Sequence, residues 1–252
     1  MAGNVVDFLE FLGAEESNQL KSCIHLKDVA IQIGKLDILF KTVINETSIV
    51  EEEHKIVVFL FLNVHREFYL SMANFIRLHT SKSYCNLRAA IDSTLTAYYL
   101  LNNPDKQEIY LLNRKDKCAE IKAVKEWNRI FKNIKSTINN SINDFPLAVD
   151  LIKTHDFCSR FAHADAIDLL TRCFENVKTG NLRVTYFDYE KTNRAYKTRL
   201  IDILSFFGEI CNLFWKIVFK KRASKKVVQD FTLHITAFQN NLKELKTSLN
   251  NS

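Results

Sequence analysis

The densest group of side chains capable of chemistry lies in residues 154–165, whose sequence is THDFCSRFAHAD. Residues three and four apart share one face of a helix, so Asp156, Ser159 and His163 are expected to be neighbours. In one interpretation His163 is a general acid or base, with Arg160 holding an anion and Ser159 orienting the imidazole. In the alternative, His163 has only a structural role: it lies on a half-buried helix and forms a hydrogen bond with a side chain one turn away.

Two other kinds of site are disfavoured in this stretch. Asp156, Ser159 and His163 resemble a catalytic triad in composition, but three groups on one helical face are poorly placed for nucleophilic attack. His155 and His163 are two helical turns apart, about 12 Å along the axis, and cannot close on one ion. The chain has no HExxH or paired ExxH motif, and its six cysteines show no CxxC spacing. We therefore expect no metal and no cofactor.

Arg88 and Asp92 form a second candidate, four residues apart beside the apolar stripe of a helix predicted over 83–102. The pair could be structural and tie helices together. Because a buried ion pair is costly unless it is well hydrogen-bonded, burial would also favour a functional, ligand-binding role. Tyr99 follows on the same helix, where it could stack on a base or simply lie at the rim of the core.

Composition favours an all-α fold. The 252 residues include 5 Gly and 2 Pro, too few for the many turns of a sheet protein, and 19 Phe for an aromatic core. The predicted architecture is a multi-helix bundle of long antiparallel helices. One small β-hairpin is expected at about 173–189, where alternating apolar residues flank Thr179, Gly180 and Asn181.

The chain is predicted to form a single helical domain over residues 1–252. Its N-terminal helices (1–46) could be peripheral, with a helix over 4–12 ending at Gly13 and a second over 15–45. A core spans 50–220 and includes a buried apolar run at 56–62, and a loop is expected at 136–144. A C-terminal helix follows within 225–252. Charges recur through the apolar segment 190–222, so no membrane span is expected.

The charge is uneven along the chain. Residues 1–60 hold 5 Lys/Arg and 10 Asp/Glu, and the remainder holds 30 Lys/Arg and 19 Asp/Glu, so the whole chain has a net charge of +6. Basic residues concentrate in 114–135 and 216–226. Such a face could attract RNA or DNA phosphates, although solvated helix faces are the simpler explanation. The N-terminus shows no secretory signal, so a cytoplasmic location is expected.

Two segments carry a resemblance to known proteins. The run LRAAID at 87–92 followed by YYLL at 98–101 resembles a helix of uncharacterised bacterial helical proteins, and DFCSRFAH at 156–163 resembles a later helix of that group. The group is similar to a branch of the HEPN superfamily, which is helical and includes metal-independent ribonucleases of toxin and phage-abortive systems. The resemblance covers roughly residues 50–220.

The resemblance implies a mechanism and a partner. The RNA 2′-hydroxyl would attack the adjacent phosphate, with His163 as acid or base and Arg160 or Arg88 binding the phosphate, across a homodimer. One feature departs from the superfamily, whose catalytic members carry four to six residues between Arg and His, whereas Arg160 and His163 are separated by two. The resemblance therefore supports the fold better than the chemistry.

Three hypotheses follow from these patterns. The first is an HEPN-like protein that binds or cleaves RNA, or acts on a nucleotide, in stress or phage defence. It predicts that Arg88, Asp92, Ser159 and His163 converge in one pocket with a positive rim. A non-catalytic scaffold or partner-binding module predicts a large exposed apolar patch. A membrane-associated protein would require the apolar face of the 200–222 segment to be exposed.

Overall fold

The computed structural model describes residues 7–45, 54–111, 117–140, 147–162, 174–176, 182–184, 187, 193–221 and 223–251. Within these ranges the predicted all-α, multi-helix fold is confirmed. The helices are α1 (Phe8–His25), α2 (Lys27–Asn45), α3 (Lys55–Ile76), α4 (Thr80–Asn102), a short α5 (Gln107–Tyr110), α6 (Lys117–Asn140), α7 (Ala148–Ala162), α8 (Asn193–Phe214) and α9 (Lys225–Asn251).

A short pair of strands lies within the region where a hairpin is expected. β1 (Phe174–Asn176) pairs antiparallel with β2 (Leu182–Val184), with Phe174 opposite Val184. Phe187 is also described, and its buried ring stacks on Phe11 of α1 at 5.3 Å between ring centroids. The rest of the 173–189 span, including the expected turn at 179–181, lies outside the described residues.

The N-terminal helix begins at a capping box. The Asp7 carboxylate accepts hydrogen bonds from the backbone N–H groups of Leu9 and Glu10, and the Glu10 side chain accepts from the N–H of Asp7. From this start α1 runs through Gly13, so the predicted helix end at Gly13 is wrong. A single interior glycine costs only about 1 kcal/mol, which the cap and the packing offset. The break lies instead at buried Leu26, between α1 and α2.

α3 and α4 form a tight antiparallel hairpin. The turn is a Schellman motif, in which the N–H of His79 bonds to the carbonyl of Asn74 and the N–H of Leu78 bonds to the carbonyl of Phe75. The position that favours glycine is held by Leu78, at φ 63°. The left-handed conformation costs a branched side chain about 1 kcal/mol, which packing of Leu78 against the core offsets.

A ladder of polar contacts joins α3 to α4. Asn63 Nδ2 donates to Ser93 Oγ at 2.9 Å, and Ser71 Oγ lies 2.7 Å from Ser83 Oγ. Between these rungs, Asn86 Nδ2 donates to the buried carboxylate of Glu67 at 2.7 Å. Each rung satisfies polar atoms that would otherwise be buried without partners, so the ladder fixes the register of the two helices.

α3 is only half buried, contrary to the predicted buried run at 56–62. Phe61 and four aliphatic neighbours point inward, but Phe59 is 66% exposed and Leu62 is 38% exposed. Among the described helices α3 alone is long and apolar enough to cross a membrane by length and composition, and half of its apolar window is buried within the fold.

The C-terminal half closes the core with aromatic contacts. α8 ends in a π-helical turn (Trp215–Phe219), and the Trp215 ring stacks on Phe231 of α9 at 4.4 Å. Gly208 lets α9 approach closely, because a Cβ there would lie 2.6 Å from Cε1 of Phe238. α6 continues to Asn140, so the part of the predicted 136–144 loop that the structure describes is helical.

Candidate functional site

The site is built on two helices, α4 and α7, that pack side by side. Leu151, His155 and Cys158 recur at spacings of four and three on α7, and all three are buried. This spacing places them on one stripe facing α4. His155 is 6% exposed and is the polar member of that stripe. A buried imidazole needs hydrogen-bond partners, and α4 supplies them.

Arg88 and Asp92 of α4 meet His155 directly. His155 Nε2 lies 2.9 Å from Asp92 Oδ1 and 3.3 Å from Arg88 Nε. Arg88 Nε and Asp92 Oδ2 are 4.0 Å apart, a weaker contact than either one makes with the imidazole. The predicted Arg88–Asp92 pair is therefore a three-membered group centred on a histidine from another helix.

The protonation of His155 Nε2 decides which contact is a hydrogen bond. Arg Nε always carries a proton, so Nε2 can accept from Arg88 only when unprotonated and can donate to Asp92 only when protonated. Apart from His155, Asp92 Oδ1 has no hydrogen-bond donor in the described part of the chain, and this oxygen is buried. A buried carboxylate oxygen without a donor is costly. We therefore assign the proton to Nε2, as a donor to Asp92.

The second ring nitrogen faces two residues of α7 itself. His155 Nδ1 lies 3.2 Å from Asp156 Oδ1 and 3.4 Å from Ser159 Oγ. Ser159 Oγ also donates to the backbone carbonyl of His155 at 2.8 Å, which holds the hydroxyl beside the ring. The Asp156 side chain is 65% exposed, so Nδ1 is the ring nitrogen nearer to solvent. With Nε2 protonated, a neutral ring has its lone pair at Nδ1.

The structure brings together some of the predicted site residues and not others. Arg88, Asp92, Asp156 and Ser159 converge on His155. Arg160 is exposed on α7, and His163 lies outside the described residues, so its expected place in the pocket stays a prediction.

Sequence reasoning considered His155 only as a metal ligand and did not foresee its central place. One available signal is its position between Leu151 and Cys158 on the apolar stripe of α7, where a histidine requires polar partners.

Cys158, next to the site, is buried and poorly suited to act as a nucleophile. Burial raises the pKa of its thiol to about 12, and the nearby Cys85 thiol adds to this while Arg88 opposes it. The thiolate is therefore scarce at neutral pH. No group of three or more His, Cys, Asp or Glu side chains in the described ranges has an arrangement that could hold a metal ion.

A basic stripe lies on α6, a helix that packs against α4. Lys122, Lys125, Arg129 and Lys132 are exposed at spacings of three, four and three, so they share one face. Trp127 lies edge-on to Tyr99 of α4 at 6.4 Å and to Tyr110 of α5 at 4.7 Å. Tyr99 is thus half-buried at the rim of the core. Arg114 and Lys115, also in the predicted basic cluster, lie outside the described residues.

Another carboxylate-held histidine lies between α2 and α3. The Asp37 carboxylate accepts from Tyr69 at 2.5 Å, from Lys41 at 2.6 Å and lies 3.2 Å from His65 Nε2. Burial opposes ionisation of Asp37, but its hydrogen bonds with Lys41, Tyr69 and His65 together lower its pKa. The same bond to Asp37, with desolvation, raises the pKa of Tyr69. His65 therefore offers a matched comparison for His155.

A scan against protein-family models found no match, and searches of the curated proteins and of the solved structures found none either. The functional argument therefore rests on the residues themselves.

Proposed function

We propose that this protein is a HEPN-like, cytoplasmic RNA-binding protein that cleaves RNA without a metal ion. The observation that supports this best is the meeting of Arg88 and His155, 3.3 Å apart, from helices distant in sequence. A guanidinium binds phosphate and an imidazole transfers protons, the two functions that transesterification by a 2′-hydroxyl requires. The basic stripe of α6 lies on the face opposite Trp127, which packs toward α4, and it adds positive charge that favours association with an RNA backbone.

His155, rather than His163, is the proposed acid or base. Asp92 fixes the proton on Nε2, which leaves the lone pair of Nδ1 to take the proton of the 2′-hydroxyl. The oxygen then bonds to phosphorus and the P–O bond to the 5′-oxygen breaks. The leaving 5′-oxygen takes a proton from water, and the protonated His155 returns its proton to the resulting hydroxide. The products are a 2′,3′-cyclic phosphate and a 5′-hydroxyl. Arg88 would neutralise charge on the phosphoryl oxygens, and Asp92 would orient the ring by accepting the hydrogen bond from Nε2.

A non-catalytic scaffold is the second candidate. It is favoured by the exposure of Phe59 and Leu62 on α3, which is unusual for large apolar side chains spaced three residues apart. It is also favoured by the small exposed fraction of His155. In this reading the Arg88–Asp92–His155 group ties α4 to α7 and contacts no ligand.

RNA cleavage by the purified full chain with EDTA separates the two candidates. His155→Ala is expected to slow cleavage about 10²–10⁴-fold, as removal of a general acid or base does. The control His65→Ala removes a histidine held by Asp37 and should leave the rate unchanged. Cyclic phosphate ends on the products would identify the chemistry.

Each other result has a definite meaning. Loss of cleavage in His163→Ala but not in His155→Ala would place the acid or base at His163. An inactive, well-folded wild type would leave the scaffold as the better proposal. The role in stress or phage defence derives from the resemblance, and arrest of growth on expression, relieved by His155→Ala, is the outcome it predicts.

A further inference from the structure

Two cysteines lie in the contact between α4 and α7. Cys85, Arg88 and Asp92 follow one another on α4 at spacings of three and four, so they share one face of the helix. His155 and Cys158, three residues apart, share a face of α7 in the same way. Arg88 and Asp92 both contact His155, so these are the faces that the two helices turn toward each other. Both thiols therefore belong to the α4–α7 contact.

The two helices run antiparallel. The ring of Tyr84 on α4 meets the ring of Phe157 on α7 edge-on, at 5.4 Å between ring centroids. One turn later on α4, Arg88 meets His155, which comes before Phe157 on α7. Residue numbers therefore fall along α7 as they rise along α4, and each level of α4 has a matching level of α7.

This direction places the two thiols at the same level of the contact. Cys85 comes three residues before Arg88 on α4. Cys158 comes three residues after His155 on α7, which is the same step in space because the helices are antiparallel. Electrostatics supports this placement: burial raises the pKa of Cys158, and the Cys85 thiol raises it further, which requires the two thiols to be close. Helices with axes about 8–10 Å apart bring facing Cα atoms to roughly 6 Å, within the range that a disulfide spans.

The two thiols differ in their access to solvent, which suits them to different roles. Cys158 is 0% exposed, whereas Cys85 is half-buried, so a small oxidant reaches Cys85 first. Cys158 needs to meet only the Cys85 sulfur. Groups held together in this way react with effective molarities of about 10⁵ M or more, which offsets the scarcity of the Cys158 thiolate. The Arg88 guanidinium helps, because it partly opposes the effect of burial on the pKa of Cys158.

We infer that hydrogen peroxide converts Cys85 and Cys158 into a disulfide that joins α4 to α7. In the first step the Cys85 thiolate attacks a peroxide oxygen, the O–O bond breaks, and the leaving hydroxide takes up a proton; Cys85 becomes a sulfenic acid. In the second step the Cys158 sulfur attacks the Cys85 sulfur, the S–O bond breaks, and the leaving hydroxide combines with the Cys158 proton. Two thiols are thus oxidised as one peroxide is reduced to two waters.

The disulfide would lie close to the candidate site. Three helical residues separate each cysteine from the Arg88–His155 contact, a distance of about 4.5 Å along the helix axes. Peroxide would therefore tie together the two helices that carry the site, and a thiol reductant would release them. The inference rests on the α4–α7 contact alone and does not depend on RNA cleavage.

Mass spectrometry of the full chain after treatment with hydrogen peroxide tests the pairing. To prevent other disulfides, serine replaces three other cysteines: Cys23, Cys118 and Cys173. Digestion of this background protein without a reductant is expected to yield a peptide pair joined through Cys85 and Cys158, which a thiol reductant separates. Cys211 is as deeply buried as Cys158 and stays in the chain as a control, and it should remain reduced.

Two further variants separate the two steps. With Cys158→Ala, oxidation of Cys85 should stop at the sulfenic acid, which a cyclic 1,3-diketone traps. With Cys85→Ser, oxidation of Cys158 should slow by at least about 100-fold, because a buried thiol with a pKa of about 12 is seldom ionised. In the background protein the disulfide should raise the melting temperature by about 5–15 °C, because it closes a long loop of the chain.

Several outcomes would overturn the inference. If no Cys85–Cys158 peptide forms in the background protein, the two sulfurs do not meet, and this result does not depend on how either variant folds. Pairing of Cys211 with either cysteine would show that the chain opens before it is oxidised. A disulfide that lowers the melting temperature would show that it forms only after α4 and α7 separate.

Discussion

The contact between His155 and Asp92 should contribute measurable coupling to folding stability. Their atoms lie 2.9 Å apart, His155 is almost fully buried and the Asp92 side chain is 29% exposed. Hydrogen bonds to charged groups contribute about 1.5–3 kcal/mol, and partial exposure of Asp92 places this one at the lower end. We expect a coupling free energy of about 1–2 kcal/mol from a double-mutant cycle of His155→Ala and Asp92→Ala.

The two single variants should both be destabilised. His155→Ala leaves the buried Oδ1 of Asp92 without a donor in addition to removing the ring from the α4–α7 contact, and we expect a loss of about 2–3 kcal/mol. Asp92→Ala removes the acceptor for the Nε2 proton, but the ring can then carry its proton on Nδ1 and accept from Arg88 at Nε2, so the cost should be smaller, about 1 kcal/mol. The double variant should cost clearly less than the sum, because neither partner is then left alone.

Urea denaturation followed by circular dichroism gives the four free energies of unfolding. A control cycle pairs His155→Ala with Leu233→Ala, which is distant and should add independently. A His155–Asp92 coupling below about 0.5 kcal/mol would refute the assignment of the Nε2 proton to Asp92. If coupling is present and cleavage is absent, the group is structural, so the same variants connect stability to the proposed function.

Three other changes have expected outcomes. Gly208→Ala should lower the free energy of unfolding by about 1–3 kcal/mol, because the new methyl group meets the Phe238 ring. In a Phe238→Leu background the same change should instead be neutral or stabilising. Thermal and urea unfolding measure both effects. Asp37→Asn should cost about 1–2 kcal/mol at neutral pH. The pKa of Asp37 in the folded state is lowered below its usual 3.8, so the ionised carboxylate stabilises the fold at pH values above the unfolded-state pKa. The difference in unfolding free energy between wild type and Asp37→Asn should therefore vanish as the pH falls through the folded-state pKa. A difference that grew in acid would contradict the hydrogen-bond assignment. Cys158 should react with an aromatic disulfide reagent at least about a thousandfold more slowly than exposed Cys118 at pH 8, and equal rates would show that the α4–α7 contact opens readily.

Local pattern was sufficient to predict the helical class but not all helix ends. The scarcity of glycine and proline indicated long helices, since few positions can break them. Gly13 was wrongly predicted to end a helix. Asp7 and Glu10 have the spacing of a capping box, which marks a helix that begins at Phe8 and continues through Gly13. The unbroken apolar run at 56–62 indicated a buried segment, but it could not show that Phe59 would face solvent, because that depends on where neighbouring helices pack.

Only the α4 half of the candidate site was predictable from the sequence. Arg88 and Asp92 are four residues apart, so their proximity follows from helix geometry. His155 lies 67 positions after Arg88, and no local rule sets that contact. It arises because the stripe of α7 that contains Leu151 packs against α4. The same holds for Tyr69, whose bond to Asp37 spans 32 positions.

The α3–α4 hairpin has a consequence for the order in which the chain folds. Its Schellman turn and polar ladder connect residues close in sequence, and such contacts form fastest because their loop-closure cost is small. Tyr196 of α8 reaches the carbonyl of Phe75 across 121 positions, and this contact must come later. During synthesis the α3–α4 hairpin would therefore be folded, with its core-facing aromatic side chains exposed to solvent, until α8 emerges from the ribosome. In that interval the nascent chain would be a substrate for chaperones that shield apolar surface.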